Sequence, residues 1–127
     1  MRALVIDDSR AMRRIVAGIL EGLGYETRPA GHGQEALEVL EGGWVPDLCC
    51  IDWNMPVMDG LQFVMAVRAN PAYRQVTLMM VTTESETGQI VKALAAGAHE
   101  YLIKPFTADA MRDKLALLGL LPEQVTA

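Results

Sequence analysis

The feature that most constrains this chain is a fivefold alternation. Short apolar runs of strand length, at residues 3–6, 26–30, 48–51, 78–81 and 100–103, are each followed by a stretch with helical apolar spacing. Strands apolar on both faces are covered on both faces, and strands separated by amphipathic helices join as parallel neighbours. The pattern therefore predicts an α/β fold, with a five-stranded parallel sheet flanked by five helices. Right-handed crossovers bring every strand's carboxyl end to the same edge.

Local signals place the joints. Ser9 stands where an N-cap is needed before Met12, Ile15, Val16, Ile19, Leu20 and Leu23, which keep a three/four spacing, and Gly24 follows in the C′ position. Pro29 puts the weak second strand near a sheet edge. A short helix over residues 34–41 stops at Gly42-Gly43. The third helix spans residues 61–69, the fourth spans residues 86–96 and closes at Gly97, and Thr107 caps a last helix carrying Met111, Leu115 and Leu118.

A chain of 127 residues, 51% apolar and 21% charged, suits one domain with a real core. The net charge of −5 argues against general affinity for nucleic acid or an anionic membrane. No run of 18 apolar residues predicts a membrane span, and two acids arrive before a secretory apolar region could form. Cys49 and Cys50 are neighbours that point to opposite faces of a strand, so two small buried hydrophobes in a reducing cytoplasm are expected. His32 and His99 lack neighbouring ligand residues and read as surface histidines.

Chemistry gathers at the strand ends. Asp7 and Asp8 follow the first strand, Asp52 the third, Thr82 the fourth and Lys104 the fifth. All five converge on the carboxyl-end crevice, where open α/β sheets bind ligands. Two like charges about 4 Å apart repel by roughly 4 kcal/mol at an effective dielectric near 20. Three acids are therefore tolerated together only with a cation among them. An all-oxygen cluster of this size suits Mg²⁺, and Lys104 serves a second anion. Helix capping explains one acid of the Asp7-Asp8 pair, not the other strand ends.

The segments "VIDDS", "IDWNMPVMDG", "VTTE" and "YLIKPF" together resemble the receiver domain of bacterial two-component response regulators, in order and in register over about residues 2–119. The resemblance implies the flavodoxin-like, CheY-like strand order 2-1-3-4-5, a receiver domain at residues 1–119 and a tail or linker stump at 120–127. It makes Asp52 the phosphoacceptor for a phosphohistidine donor. Asp8, Asp52 and the backbone carbonyl of Asn54 would bind Mg²⁺, with Asp7 acting through water. Lys104 would pair with one phosphoryl oxygen and Thr82 would move to bond another, the positive charge and donors that phosphoryl transfer needs. Lys104-Pro105 resembles the family's cis peptide bond.

Tyr101 matches the family's switch aromatic: Thr82 moves toward the phosphoryl group and the Tyr101 ring fills the vacated space. Partner contacts are expected near Ile90, Leu94, Ala98, Tyr101 and Lys114, on the face of the fourth helix, fifth strand and fifth helix. Trp53, Asn54 and Glu84 are most like stand-alone chemotaxis regulators, where such positions accompany fast loss of the phosphoryl group. Thr83 is a departure, because a smaller residue is common there. The implied protein is a cytoplasmic signalling phosphoacceptor and not an enzyme acting on other substrates. Its expected partners are a histidine kinase and either a flagellar motor switch or a phosphotransfer protein, and it is a monomer or a phosphorylation-dependent dimer.

Other readings are weaker. Gly31-His32-Gly33-Gln34-Glu35-Ala36 fits a dinucleotide fingerprint but follows the weak, proline-containing second strand, so it reads as a turn and helix start. A Mg²⁺-dependent aspartyl phosphatase would place its second acid two residues after a nucleophile on the first strand and would carry a cap, and Asp7-Asp8-Ser9 lacks that spacing. A phosphorelay intermediate and a receiver cut from a longer regulator remain alternatives.

Overall fold

The structure is a computed structural model that describes residues 1–122. Its strands are β1 (Arg2–Ile6), β2 (Glu26–Ala30), β3 (Leu48–Ile51), β4 (Thr77–Thr82) and β5 (Glu100–Ile103). They alternate with α1 (Arg10–Gly22), α2 (Gly33–Glu41), α3 (Gly60–Arg68), α4 (Thr87–Ala96) and α5 (Ala108–Leu117). All strand pairs are parallel and the order is β2-β1-β3-β4-β5, as expected. The proline-bearing β2 lies at an edge. The sequence pattern did not signal the 3-10 turn at Pro71–Tyr73, which Asn70 caps through Ala72 N.

Strand alternation builds two cores. On one face Leu4, Ile6, Cys49, Ile51, Leu78 and Met80 meet Leu40 of α2, Phe63 and Val67 of α3, and Ala93 of α4. On the other, Ala3, Val5, Leu48, Cys50, Met79 and Val81 meet Val16 and Leu20 of α1 and Met111 and Leu115 of α5. The adjacent cysteines thus belong to opposite cores, and both are free and buried. Burial pushes the Cys50 thiol up to about 12 and raises Cys49 further, so neither is a reactive thiolate at neutral pH.

The caps fall where the sequence puts them. Ser9 accepts from Met12 N at 3.3 Å, and Thr107 accepts from Ala110 N at 3.0 Å. Gly24 and Gly97 adopt φ of 101° and 123° at helix ends. Asp59 and Gln62 close a reciprocal capping box on α3.

The histidines, expected at the surface, also have structural work. His32 is half-buried and caps α2, its Nδ1 accepting from Glu35 N at 3.2 Å. His99 is exposed as a residue, yet its Nδ1 accepts from Leu78 N at 3.1 Å and lies 3.5 Å from Arg68 Nη2. Arg68 itself donates to the carbonyls of Gly97, Tyr73, Arg74 and Val76, stitching α3, the 3-10 turn, the approach to β4 and the approach to β5.

Leu120 and Leu121 pack against the α1/α5 core, and the Tyr25 hydroxyl donates to the Leu120 carbonyl. The start of the expected tail is therefore docked. The rest of it, residues 123–127, lies outside the described residues. Among the described residues, no helix is long and apolar enough to cross a membrane.

Candidate functional site

Strands β1, β3 and β5 each extend their hydrogen bonding one step past their ends. Asp7 N donates to Ala30 O at 3.1 Å, Asp52 N to Ile6 O at 2.9 Å, and Lys104 N to Thr82 O at 2.9 Å. Their backbones are thus fixed by the sheet, and their side chains converge over its carboxyl edge. One carboxylate oxygen from each of Asp7, Asp8 and Asp52 lies within 4.8 Å of the other two. The peptide bond between Lys104 and Pro105 is cis.

Lys104 Nζ is 2.7 Å from Asp7 Oδ2 and 3.7 Å from Asp52 Oδ1. Asp7 is the most committed acid: it is buried, its Oδ1 accepts from Ser9 N at 2.8 Å, and Oδ2 is held by Lys104. Asp8 is exposed, with a carboxylate available to a ligand. Asp52 sits between these extremes. Its Oδ1 accepts from Trp53 N at 2.8 Å. Burial pushes the Asp52 pKa above the usual carboxylate range, Lys104 pulls it down, and Asp7 pushes it up again.

A hard, all-oxygen donor set with one exposed and one half-buried carboxylate fits Mg²⁺, which keeps part of its water shell. Asn54 is exposed in the loop that follows Asp52. Two residues of that loop have special backbones. Val57 is 78% exposed with φ of 67°, a left-handed conformation that a β-branched side chain resists. Gly60 packs so closely that a Cβ there would sit 2.2 Å from the Asp52 carbonyl oxygen.

The acids and Lys104 open into a cavity of about 560 Å³ walled by Met12, Ile15, Phe106 and Thr83. The sequence stripe on α1 placed Ile15 among the core-facing residues, but it is 52% exposed and lines this cavity. Its neighbours Val16 and Leu20 carry the buried face. Sequence reasoning also missed Arg13, whose Nη1 donates to the Asp7 carbonyl at 2.6 Å and steadies the end of β1. The signal was available only as a cation one helical turn beyond Asp7-Asp8-Ser9.

Thr82 and Tyr101 meet through one residue. Thr82 is fully buried and its Oγ1 accepts from Glu84 N at 3.2 Å, while the Tyr101 hydroxyl donates to Glu84 O at 2.6 Å. The Tyr101 ring is buried, and its burial, with the Glu84 and Asp52 charges, raises its pKa. The face expected to meet partners is less free than the sequence suggested. Ala98 and Tyr101 belong to the core, Ile90 packs against it, and Lys114 pairs with Glu100 at 3.0 Å, which leaves Leu94 as its exposed large apolar residue.

Residues 3–116 match the family model described as the response regulator receiver domain. The chain is 41% identical over 119 residues to the chemotaxis protein CheY1 of Helicobacter pylori, covering 93% of this chain and 96% of that one. It is 40% identical over 116 residues to the chemotaxis protein CheY of Pseudomonas aeruginosa, covering 91% and 93%. Among solved structures, the chemotaxis protein CheY4 of Vibrio cholerae superposes with a TM-score of 0.84 at 35% identity, covering 91% of this chain and 96% of that one.

Proposed function

The chain belongs to the response regulator receiver domain family and is CheY-like, a signalling phosphoacceptor of two-component and chemotaxis systems, and from that premise we propose that Asp52 is its phosphoacceptor. The observation that carries this reading is the convergence of Asp52, the exposed Asp8 and the Lys104 ammonium in one cavity, with Thr82 buried at the carboxyl end of the adjacent strand β4. An Asp52 carboxylate oxygen attacks phosphorus. The bond from phosphorus to the donor's histidine nitrogen breaks, and the imidazole leaves with that electron pair. The product is an acyl phosphate on Asp52.

Asp8, Asp52 and the Asn54 carbonyl would hold Mg²⁺, with Asp7 contributing through water. The ion supplies charge neutralisation on the phosphoryl oxygens when bound. Lys104 releases some of its hold on Asp7 to pair with a phosphoryl oxygen, and Thr82 donates to another. Because Thr82 and Tyr101 grip the amide and the carbonyl of the same residue, Glu84, a shift of Thr82 is felt at the Tyr101 ring. Phosphorylation is then a local charge change that biases a two-state element, read on the face of α4, β5 and α5 near Ile90, Leu94, Ala98, Tyr101 and Lys114.

Asn54, Thr83 and Glu84 set the lifetime of the acyl phosphate by admitting and orienting water. Thr83 is exposed at the cavity wall, which supports that role. The protein works in the cytoplasm, receives its phosphoryl group from a histidine kinase, and acts on a flagellar motor switch or a phosphotransfer protein, as a monomer or a phosphorylation-dependent dimer. It performs no chemistry on other substrates beyond its own phosphorylation and dephosphorylation.

Incubation with Mg²⁺ and acetyl phosphate or phosphoramidate tests the reading. One added phosphoryl group by mass spectrometry, a change in Trp53 fluorescence, and loss of both in Asp52→Asn are expected. Equal phosphorylation of Asp52→Asn, or continuous turnover of small phosphate esters, would refute it.

A further inference from the structure

A second cavity lies away from the phosphoacceptor. It is a groove of about 440 Å³ between α1 and the edge strand β2, floored by Val5, Ala17 and Pro29. That volume falls within the roughly 300–1,000 Å³ of small-molecule sites. Its lining includes Arg10, Arg13, Arg14 and Arg28, four of the chain's 11 Lys and Arg. The protein carries 16 acids, yet among the described residues no carboxylate lies within 4.0 Å of any of these guanidiniums.

The four cations are not equivalent. Arg28 has its guanidinium 4.8 Å from the Trp44 ring centroid, and Arg13 spends one donor on the Asp7 carbonyl. Arg10 and Arg14 are exposed, lie one helical turn apart on the same face of α1, and keep their donors for a ligand. The other end of the groove has opposite character. Glu21 and Thr27 lie there, joined by a 2.6 Å bond from the Thr27 hydroxyl to Glu21 Oε2. From Arg14 to Glu21 the helix rises about 10 Å at 1.5 Å per residue. An anion therefore seats at the arginine end, while a hydrogen-bond donor such as an exocyclic amine suits the remaining Glu21 oxygen.

We propose that this groove binds a nucleoside phosphate, with the phosphates on Arg10 and Arg14 and the base lying over Ala17 and Pro29 toward Glu21 and Thr27. Unpaired arginines are the planar, multidentate donors that phosphate recognition uses. The length between the two ends matches one nucleotide. The apolar floor and concave shape favour a small molecule over an acidic protein segment.

The test is isothermal titration of the full chain with ATP in EDTA, which keeps divalent ions out of the Asp cluster. One ATP per chain is expected, with affinity falling as salt is added. The double variant Arg10→Gln/Arg14→Gln, whose changes lie on the surface, should keep its melting curve and bind about tenfold more weakly or worse, given the strength of charge-assisted bonds. Asp52→Asn should bind like wild type, so that failure here and failure of the phosphoacceptor reading are separable. Amide chemical-shift changes should cluster at Val5, Ala17 and Thr27. No ATP binding, equal binding by the double variant, or shifts confined to the Asp52 cavity would each overturn the proposal. Pyrophosphate binding as tightly as ATP would remove the nucleoside end, and a glutamate hexapeptide binding in place of ATP would reassign the groove to a protein partner.

Discussion

Gly60→Ala is a local test of how tightly the loop after Asp52 is packed. The added Cβ would lie 2.2 Å from the Asp52 carbonyl oxygen and 3.0 Å from Trp53 Cα, against 3.4–4 Å for ordinary contact. Reaching ordinary contact takes a movement of about 1.2 Å, and the three nearest atoms are all backbone. The movement strains either Asp52 N to Ile6 O at 2.9 Å or Gly60 N to Trp53 O at 2.8 Å. Overpacking costs about 1–3 kcal/mol, and a weakened buried hydrogen bond costs about 1 kcal/mol more. Alanine's smaller unfolded-state entropy returns about 0.4–1 kcal/mol, which leaves a net loss of about 1–3.5 kcal/mol.

At about 4 °C per kcal/mol this lowers Tm by about 4–14 °C. A urea titration should show a shifted midpoint with an unchanged slope. Displacing the nucleophile by about 1 Å should also slow phosphorylation by roughly 100-fold. Gly18→Ala is the matched control: nothing lies within 4 Å of its Cβ on the surface of α1, so a gain of about 0.5–1 kcal/mol is expected. If Gly60→Ala came within about 0.5 kcal/mol of wild type, the close-packing argument would be refuted.

Val57→Asn should stabilise the protein by about 1 kcal/mol, because Asn tolerates positive φ and the Val57 side chain buries little; a lower melting temperature would contradict the strain. Arg68→Lys should lose about 2–3 kcal/mol in chemical denaturation, since an ammonium cannot span the four carbonyls that the guanidinium holds. His99 has its pKa lowered from 6.5, first by burial and then by the Arg68 charge, so the folded state binds its proton less readily than the unfolded chain. Its contribution to stability is complete above pH 6.5 and declines as pH falls toward the depressed folded value. Urea melts should show wild type losing stability below pH 6.5 relative to His99→Asn, whose amide oxygen accepts from Leu78 N without titrating. Parallel curves would remove His99 from the acid response.

The strands and the acids at their ends were legible because both obey local rules. Continuous apolar runs make buried strands, and a parallel sheet delivers all their carboxyl ends to one edge, so the sequence alone brings Asp7, Asp8, Asp52, Thr82 and Lys104 to that edge. The partner at each atom was not legible. Nothing in the sequence singled out Asp7 as the carboxylate that Lys104 approaches to 2.7 Å, with Asp52 at 3.7 Å. The bonds of Arg68 and His99 were not legible because they go to backbone carbonyls and an amide, which leave no mark in side-chain patterns. Ile15 misled because period alone cannot tell a core-facing position from one at the rim of a cavity.

The double grip on Glu84 separates two duties within a single residue. What joins the fourth strand's end to the fifth strand is the backbone of one residue, held by its amide and its carbonyl, and every amino acid except proline offers both. A substitution at this position by any residue but proline therefore changes the side chain and leaves both backbone groups in place.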